Sequence, residues 1–273
     1  MPENLALIIE PDTLEAHLGS SNLLIVDVSQ ASTYEQVHVP GAVHVKPAEL
    51  VCGVPPAPGK LPEKAALEAL FSRIGYSPDK HIVVYDDEGG GWAGRFIWTL
   101  DIIGHQYYSY LDGGIHAWAR EGHPLESEPS RNMSTEVSLS LDLSVNADLD
   151  EVLASIGDDN SIVWDARSHE EYVGTKLSSA RGGHIPGAVN LDWLDTMDRT
   201  RNLRLKPITT LKEMLLELGI DGSKQIITHC QSHHRSGLTY LISKALGFPV
   251  KAYDGSWSEW GNLPDTPVET GDA

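Results

Sequence analysis

Apolar positions along this chain fall alternately into short β-branched runs and longer stripes of helical spacing. Leu23-Leu24-Ile25-Val26-Asp27, Ile82-Val83-Val84-Tyr85-Asp86, Ser161-Ile162-Val163-Trp164-Asp165 and Ile226-Ile227-Thr228-His229-Cys230 read as buried strands with a polar residue at the end. Between them, Leu67, Leu70, Phe71 and Ile74 lie on one helical face ahead of Gly75, and Leu211, Met214, Leu215 and Leu218 do the same ahead of Gly219. Leu238, Leu241, Ile242, Ala245 and Leu246 make a third stripe, which Gly247 is placed to end. Strands alternating with helices predict an α/β fold built on parallel sheets.

The pattern is stated twice. Tyr34 follows Asp27 at the same distance as Tyr172 follows Asp165. His38-Val39-Pro40-Gly41-Ala42-Val43 returns as His184-Ile185-Pro186-Gly187-Ala188-Val189, and Tyr110-Leu111-Asp112-Gly113-Gly114 as Ala252-Tyr253-Asp254-Gly255-Ser256. Each copy then leads to a tryptophan, Trp118 or Trp260. A repeat this long is a duplicated domain, not a solenoid unit. We therefore expect two similar domains, 1–125 and 147–273, each a parallel sheet flanked by helices on both faces. A linker is expected over 126–146, where Glu, Ser, Pro and Thr replace helical periodicity. Within it, Val137, Leu139, Leu141 and Leu143 alternate with polar residues, as in a segment that pairs at a sheet edge. Val51 to Pro62, with Pro55, Pro56 and Pro58, reads as a rigid surface loop carrying Cys52 as a spectator thiol, and Glu269 to Ala273 as a frayed end.

Composition narrows the function classes. Hydrophobic content of 41% and charged content of 22% over 273 residues are those of a soluble globular protein with a real core. No apolar run reaches the roughly 18–20 residues that span a bilayer, and the N-terminus lacks the features of a secretory signal. The formal net charge of −19 argues against nucleic acid and anionic membranes as partners. An anionic substrate must therefore be attracted locally, against the global field. The two cysteines, Cys52 and Cys230, could form only one bridge, and a reducing cytoplasm is the simpler setting.

The chemistry concentrates at Cys230. A thiol between the end of a strand and the start of a helix faces unsatisfied N–H groups and the positive end of the helix dipole. His233, His234 and Arg235 lie in the same loop, and all of these features favour the thiolate. Cys230 is thus read as an activated nucleophile, and not as a small core residue or a metal ligand; no metal is expected. His229 alternates with Cys230 along the strand, so its side chain points the other way, as an interior histidine. In the first copy Asp86 stands where the second has Cys230, followed by the acidic Asp87-Glu88-Gly89-Gly90-Gly91. A carboxylate cannot carry the same chemistry.

These residues resemble the tandem-domain rhodaneses, the thiosulfate sulfurtransferases, over nearly the whole chain. The resemblance lies in the aspartate-ended strands, the two His-[Ile/Val]-Pro-Gly-Ala-Val turns, and the loop His229-Cys230-Gln231-Ser232-His233-His234-Arg235-Ser236, which is most similar to that of bacterial two-domain members. It implies an inert first domain and a catalytic second one. It further implies that Cys230 takes the sulfane sulfur of thiosulfate as a persulfide and passes it to a thiophilic acceptor, cyanide in the family's assay, with no other cofactor. A sulfur-accepting protein is a further partner the resemblance allows. Gln231, Ser232, His233, His234, Arg235 and Ser236 are the residues expected to bind substrate, through backbone N–H groups and the Arg235 fork. Animal rhodaneses carry Cys-Arg-Lys-Gly-Val-Thr at this loop and mercaptopyruvate sulfurtransferases Cys-Gly-Ser-Gly-Val-Thr. The cationic loop here favours dianionic thiosulfate over 3-mercaptopyruvate.

Two rivals of other classes are weaker. Cysteine-dependent phosphatases use Cys-x5-Arg, whereas Cys230 to Arg235 is Cys-x4-Arg, one residue tighter. A non-catalytic rhodanese-like binding module would not need the thiol in a cationic loop. Trp193, Trp257 and Trp260 read as packing residues that could reach the cleft. Arg199, Arg201, Arg204 and Lys206 form a basic run with two readings, a solvated loop or a funnel for anions. Asp165 and Arg167 are expected to pair.

Overall fold

The computed structural model describes residues 5–130 and 133–272, and its described residues fall into two compact units. Neither unit is contiguous. The first comprises Met1–Leu50, Pro62–Asp142 and Met197–Leu205; the second comprises Val51–Leu61, Leu143–Thr196 and Lys206–Ala273. Each copy of the repeat thus gives a short segment to the other's unit.

In the first unit, β1 (Ile8–Ile9), β2 (Leu23–Asp27), β3 (Val43–His44), β4 (His81–Tyr85) and β5 (Tyr108–Leu111) form one parallel sheet in the order β1-β5-β4-β2-β3. Around it stand α1 (Pro11–Glu15), α2 (Ala31–Gln36), α3 (Lys64–Arg73), α4 (Gly91–Ile102) and α5 (Gly114–Arg120). The apolar runs explain the sheet directly, since every residue of β4 is buried. Ile25, Val83, Tyr85 and Leu111 pack with Leu14, Ile115 and Trp118 in one core.

The second copy continues with α6 (Leu149–Ser155), β6 (Ser161–Asp165), α7 (His169–Tyr172), β7 (Val189–Asn190), the short pair β8 (Met197–Asp198) and β9 (Arg204–Leu205), α8 (Ile208–Glu217), β10 (Gln225–His229), α9 (Arg235–Ala245), β11 (Val250–Ala252) and α10 (Ser256–Trp260). Its sheet is parallel in the order β11-β10-β6-β7. Val163 and Ile227 from the sheet pack with Tyr172, Ile185, Tyr253, Trp257 and Trp260. The helix that follows the thiol ends where expected, with Gly247 left-handed at φ +71°.

Several expectations need correction. Residues 133–142 belong to the first unit and 143–146 to the second, and no strand forms over 133–146. Instead Leu139 N–H donates to Glu68 and Asp142 N–H to the Ile102 carbonyl. Residues 131 and 132 of the expected linker lie outside the described residues. The C-terminal stretch is paired, not frayed: Glu269 bridges to His184, and Gly271 N–H donates to the Val173 carbonyl at 3.0 Å, while residue 273 lies outside the description. The basic run divides as well. Arg204 belongs to the first unit, buried between Glu10 and Glu121 at 2.8 Å each, so its charge is spent on those two carboxylates. Among the described residues no helix is long and apolar enough to cross a membrane.

Candidate active site

Cys230 follows the last residue of β10, and α9 begins at Arg235, so the loop between them is only Gln231 to His234. The thiol is fully buried. A loop this short next to a helix start has few ways to satisfy its backbone, and α10 supplies most of them. Trp257 and Ser258 N–H donate to the carbonyls of Cys230 and Gln231, both at 2.9 Å. The Ser256 hydroxyl accepts from Cys230 N–H at 3.4 Å and His233 N–H at 3.0 Å, and donates to the Tyr253 carbonyl at 2.8 Å.

Ser256 holds this place in a left-handed conformation, φ +51°, that costs a side-chain-bearing residue on the order of 1–2 kcal/mol. The first copy has Gly114 there, at φ +52°. A strained serine where glycine would relax the backbone is kept by what its hydroxyl holds. The other side of the loop is closed by Gly59. A Cβ on Gly59 would lie 2.1 Å from the Ser232 carbonyl oxygen, a backbone atom that cannot swing aside. Its neighbours tie down the same wall, with Leu61 N–H donating to Asp254 at 2.9 Å and Lys60 paired with Glu259.

Electrostatics favour the thiolate. Burial pushes the Cys230 thiol up, but the Arg235 charge, two hydrogen bonds from Ser236 and the His234 charge outweigh it and hold the thiol below its ordinary value. Arg235 is itself engaged: its guanidinium gives both terminal nitrogens to Glu171, at 2.7 and 3.0 Å. Burial pushes the Glu171 carboxyl up, and the hydrogen bonds and charge of Arg235 overcome this and hold it at about 2. Behind the loop, Arg167 grips Asp165 through Nε at 2.9 Å and lies 4.3 Å over the Trp257 ring. His229 is fully buried with Nε2 3.6 Å from Asp165; burial lowers its proton affinity more than Asp165 raises it.

The structure thus sorts the loop residues read from the sequence. Cys230, Arg235 and Ser236 come together at the sulfur. Gln231 turns its amide outward to the Ser178 carbonyl and Ser179 hydroxyl, at 3.0 and 3.1 Å. Ser232 is half-buried against Gly59. The two histidines part: His234 is half-buried, 5.6 Å from the Trp193 ring, whereas His233 is fully buried at φ +51° with Nδ1 2.8 Å from the Ser236 hydroxyl. Trp257 and Trp260 belong to the core.

Three contributors are absent from the sequence reading: Glu171, Ser256 and Gly59. Glu171 carries a sequence signal that points elsewhere, because Ser168-x-x-Glu171 is a capping box at the start of α7. Ser256 was visible only as a departure from Gly114 in the repeat. Gly59 offers no signal.

The first copy closes the same geometry on itself. Asp86 occupies the position of Cys230, and its carboxylate accepts from Glu88, Gly89, Gly90 and Ala93 N–H at 3.1, 3.1, 2.8 and 3.0 Å. The backbone cradle is present, but its own chain fills it.

Comparison with known proteins gives this arrangement a context. A family model for the rhodanese-like domain matches residues 10–121 and again 148–263. The thiosulfate sulfurtransferase of Azotobacter vinelandii is 52% identical over 267 residues, 97% of this chain and 98% of that protein. That of Pseudomonas aeruginosa is 50% identical over the same shares. Among solved structures, the anaerobic ergothioneine biosynthesis enzyme from Chlorobium limicola matches with a TM-score of 0.87 over 98% of this chain and 71% of that one, at 18% identity, a likeness of fold. Two matched halves, one with a thiol in its cradle and one with a carboxylate, place the chain in the rhodanese family as two rhodanese domains in tandem.

Proposed function

We propose that this protein is a thiosulfate sulfurtransferase whose second unit alone carries sulfur. The observation that carries this reading is a buried cysteine held toward the thiolate by Arg235, Ser236 and His234 at the mouth of a helix. The Cys230 thiolate attacks the outer sulfur of thiosulfate. A bond forms between Sγ and that sulfur, the bond to the sulfonate sulfur breaks, and its electron pair leaves with sulfite. Cyanide or a thiol then takes the terminal sulfur and regenerates the thiolate. The loop N–H groups and the positive helix end stabilise the anionic persulfide. Gln231, Ser232, His233, His234, Arg235 and Ser236 form the substrate-side loop in this reading, and a reducing cytoplasm, which would keep Cys230 free to react, is the setting it fits. Intact mass settles the matter: thiosulfate adds one sulfur atom, cyanide removes it, and peptide mapping finds it on Cys230. Sulfur on Cys52 would overturn the site.

The inertness of the first unit is tested at Asp86. Asp86→Asn places an amide against Ala93 N–H and costs about 1–3 kcal/mol, the penalty of an unsatisfied buried donor. Thiocyanate production below the melting range stays near the native rate. Activity lost without stability would mean that the first unit takes part in the chemistry.

Ser256→Gly separates stability from activity in the opposite sense. Relief of the left-handed strain, about 1–2 kcal/mol, offsets most of the three lost hydrogen bonds, at about 1 kcal/mol each, so the melting temperature falls only slightly. The loop loses its anchor, and single-turnover persulfide formation slows roughly tenfold, as expected for a misplaced reacting group. An unchanged rate would show that α10 holds the loop without the hydroxyl.

A further inference from the structure

His233 and Ser236 do not behave like the rest of the loop. His233 is fully buried, in a left-handed conformation, and its Nδ1 lies 2.8 Å from the Ser236 hydroxyl. The Ser236 hydroxyl and backbone N–H both reach the Cys230 sulfur. A serine hydroxyl has a single proton to give. If that proton points at sulfur, Nδ1 of His233 must be the donor to the serine oxygen, so the ring carries its proton on Nδ1. If the ring instead accepts from Ser236, the sulfur loses its side-chain donor. The two hydrogen bonds are therefore one switch with two settings.

We propose that His233 is a positioning residue that acts through Ser236, its Nδ1–H orienting the serine hydroxyl as a permanent donor to the Cys230 sulfur, and later to the inner sulfur of the persulfide. This rests on Cys230 as the nucleophile, but concerns how its anion is held and not what it attacks. Burial holds the His233 ring in one orientation, which an exposed histidine could not maintain. The division of labour with His234 follows: His234 contributes charge from the half-buried side, and His233 contributes direction. Arg235 also acts on the sulfur through its charge, and in turn couples to Glu171, Asp165 and Asp192.

The ultraviolet absorbance of the thiolate, titrated with pH in a Cys52→Ser background, reads the proposal without a sulfur donor and without reagent access to the buried thiol. A native midpoint at or above that of an ordinary cysteine would sink the nucleophile assignment itself, separately from the relay. Ser236→Ala, which suits the first turn of a helix, should raise the midpoint by about one pH unit, a tenfold loss of thiolate. His233→Gly tolerates the left-handed backbone, removes the ring donor, and should raise the midpoint by a similar amount. His233→Asn, whose amide can donate from nearly the same place and which also accepts φ > 0, should restore it to within a few tenths of a unit. The double variant His233→Gly/Ser236→Ala should titrate like Ser236→Ala alone, as a histidine that acts through the serine requires. Additive shifts in the double variant, an Asn variant that titrates like Gly, or a Ser236→Ala midpoint that does not move would each overturn the relay. Should His233→Gly fail to fold, Ser236→Ala and His233→Asn still decide the question.

Discussion

Cys230→Ser protein is expected to gain no sulfur from thiosulfate and to form no thiocyanate, while remaining folded. The reason is chemical and not structural. Serine fits the buried site with almost no change of shape, and the hydrogen bonds of residue 230 to Ser256 and Trp257 involve only its backbone. The cradle holds the proton affinity of the Cys230 thiol below its ordinary value and so favours the thiolate. The same environment acting on a hydroxyl leaves it protonated, and oxygen is a poor partner for sulfane sulfur. Loss of activity should therefore come with an unchanged melting temperature. Cys52→Ser, by contrast, should keep full turnover, since the Cys52 thiol is spent on its own loop, near the Ala57 carbonyl at 3.5 Å. Residual sulfur transfer by Cys230→Ser in calorimetrically intact protein would move the nucleophile elsewhere.

Arg235→Ala should be damaging in two separable ways. The guanidinium was expected from the sequence to grip two sulfonate oxygens; in the structure both terminal nitrogens already hold Glu171. Removing it leaves a carboxylate, with only 4% of its side-chain surface exposed, without its main countercharge. Breaking a buried pair in this way costs roughly 3–5 kcal/mol. It also turns a local positive field at the thiol into a negative one, so persulfide formation should slow by more than the tenfold to hundredfold expected for one charge-assisted contact at about 1.5–3 kcal/mol. Adding Glu171→Gln to Arg235→Ala should recover most of the stability and only part of the rate. Full recovery of both would reduce Arg235 to a countercharge, and no recovery of stability would dissolve the coupling.

The same pair sets an acid limit. The folded Glu171 carboxyl titrates at about 2, below the roughly 4.3 of an unfolded glutamate. Its contribution is therefore fully present above the unfolded value and is lost as pH falls from there through the folded one. Denaturant midpoints measured downward from pH 5 should fall less steeply for Glu171→Gln than for the native protein.

How far the sequence carries can be judged from individual residues. The strand ending at His229, the helix ended by Gly247 and the duplication itself were legible, because period, β-branching and glycine stops are local signals. Cys230 was legible because one loop holds both the thiol and its cations. The Arg235–Glu171 pair was not: its members come from α9 and α7, and the sequence signal of Glu171 is that of a helix cap, a role it fills as well. Nor was the division between His233 and His234, which depends on one left-handed backbone angle that no composition encodes. Gly59 was hidden for a third reason. It lies in the first copy of the repeat, and no reading that assigns each copy to its own domain would look there for a wall of the second site.

That last placement bears on heredity. The thiol-bearing unit is written in three separated stretches of the gene, with Val51–Leu61 encoded inside the copy that carries Asp86 and Met197–Leu205 of the thiol-bearing copy given in return. A deletion that trims the gene to its active repeat also discards Gly59, Lys60 and Leu61, and with them the backing of Ser232, Glu259 and Asp254. The copy that carries Asp86 therefore also encodes part of the thiol-bearing unit. Asp86 and its loop lie outside the lent segment, so a change there leaves the residues of the thiol-bearing unit untouched.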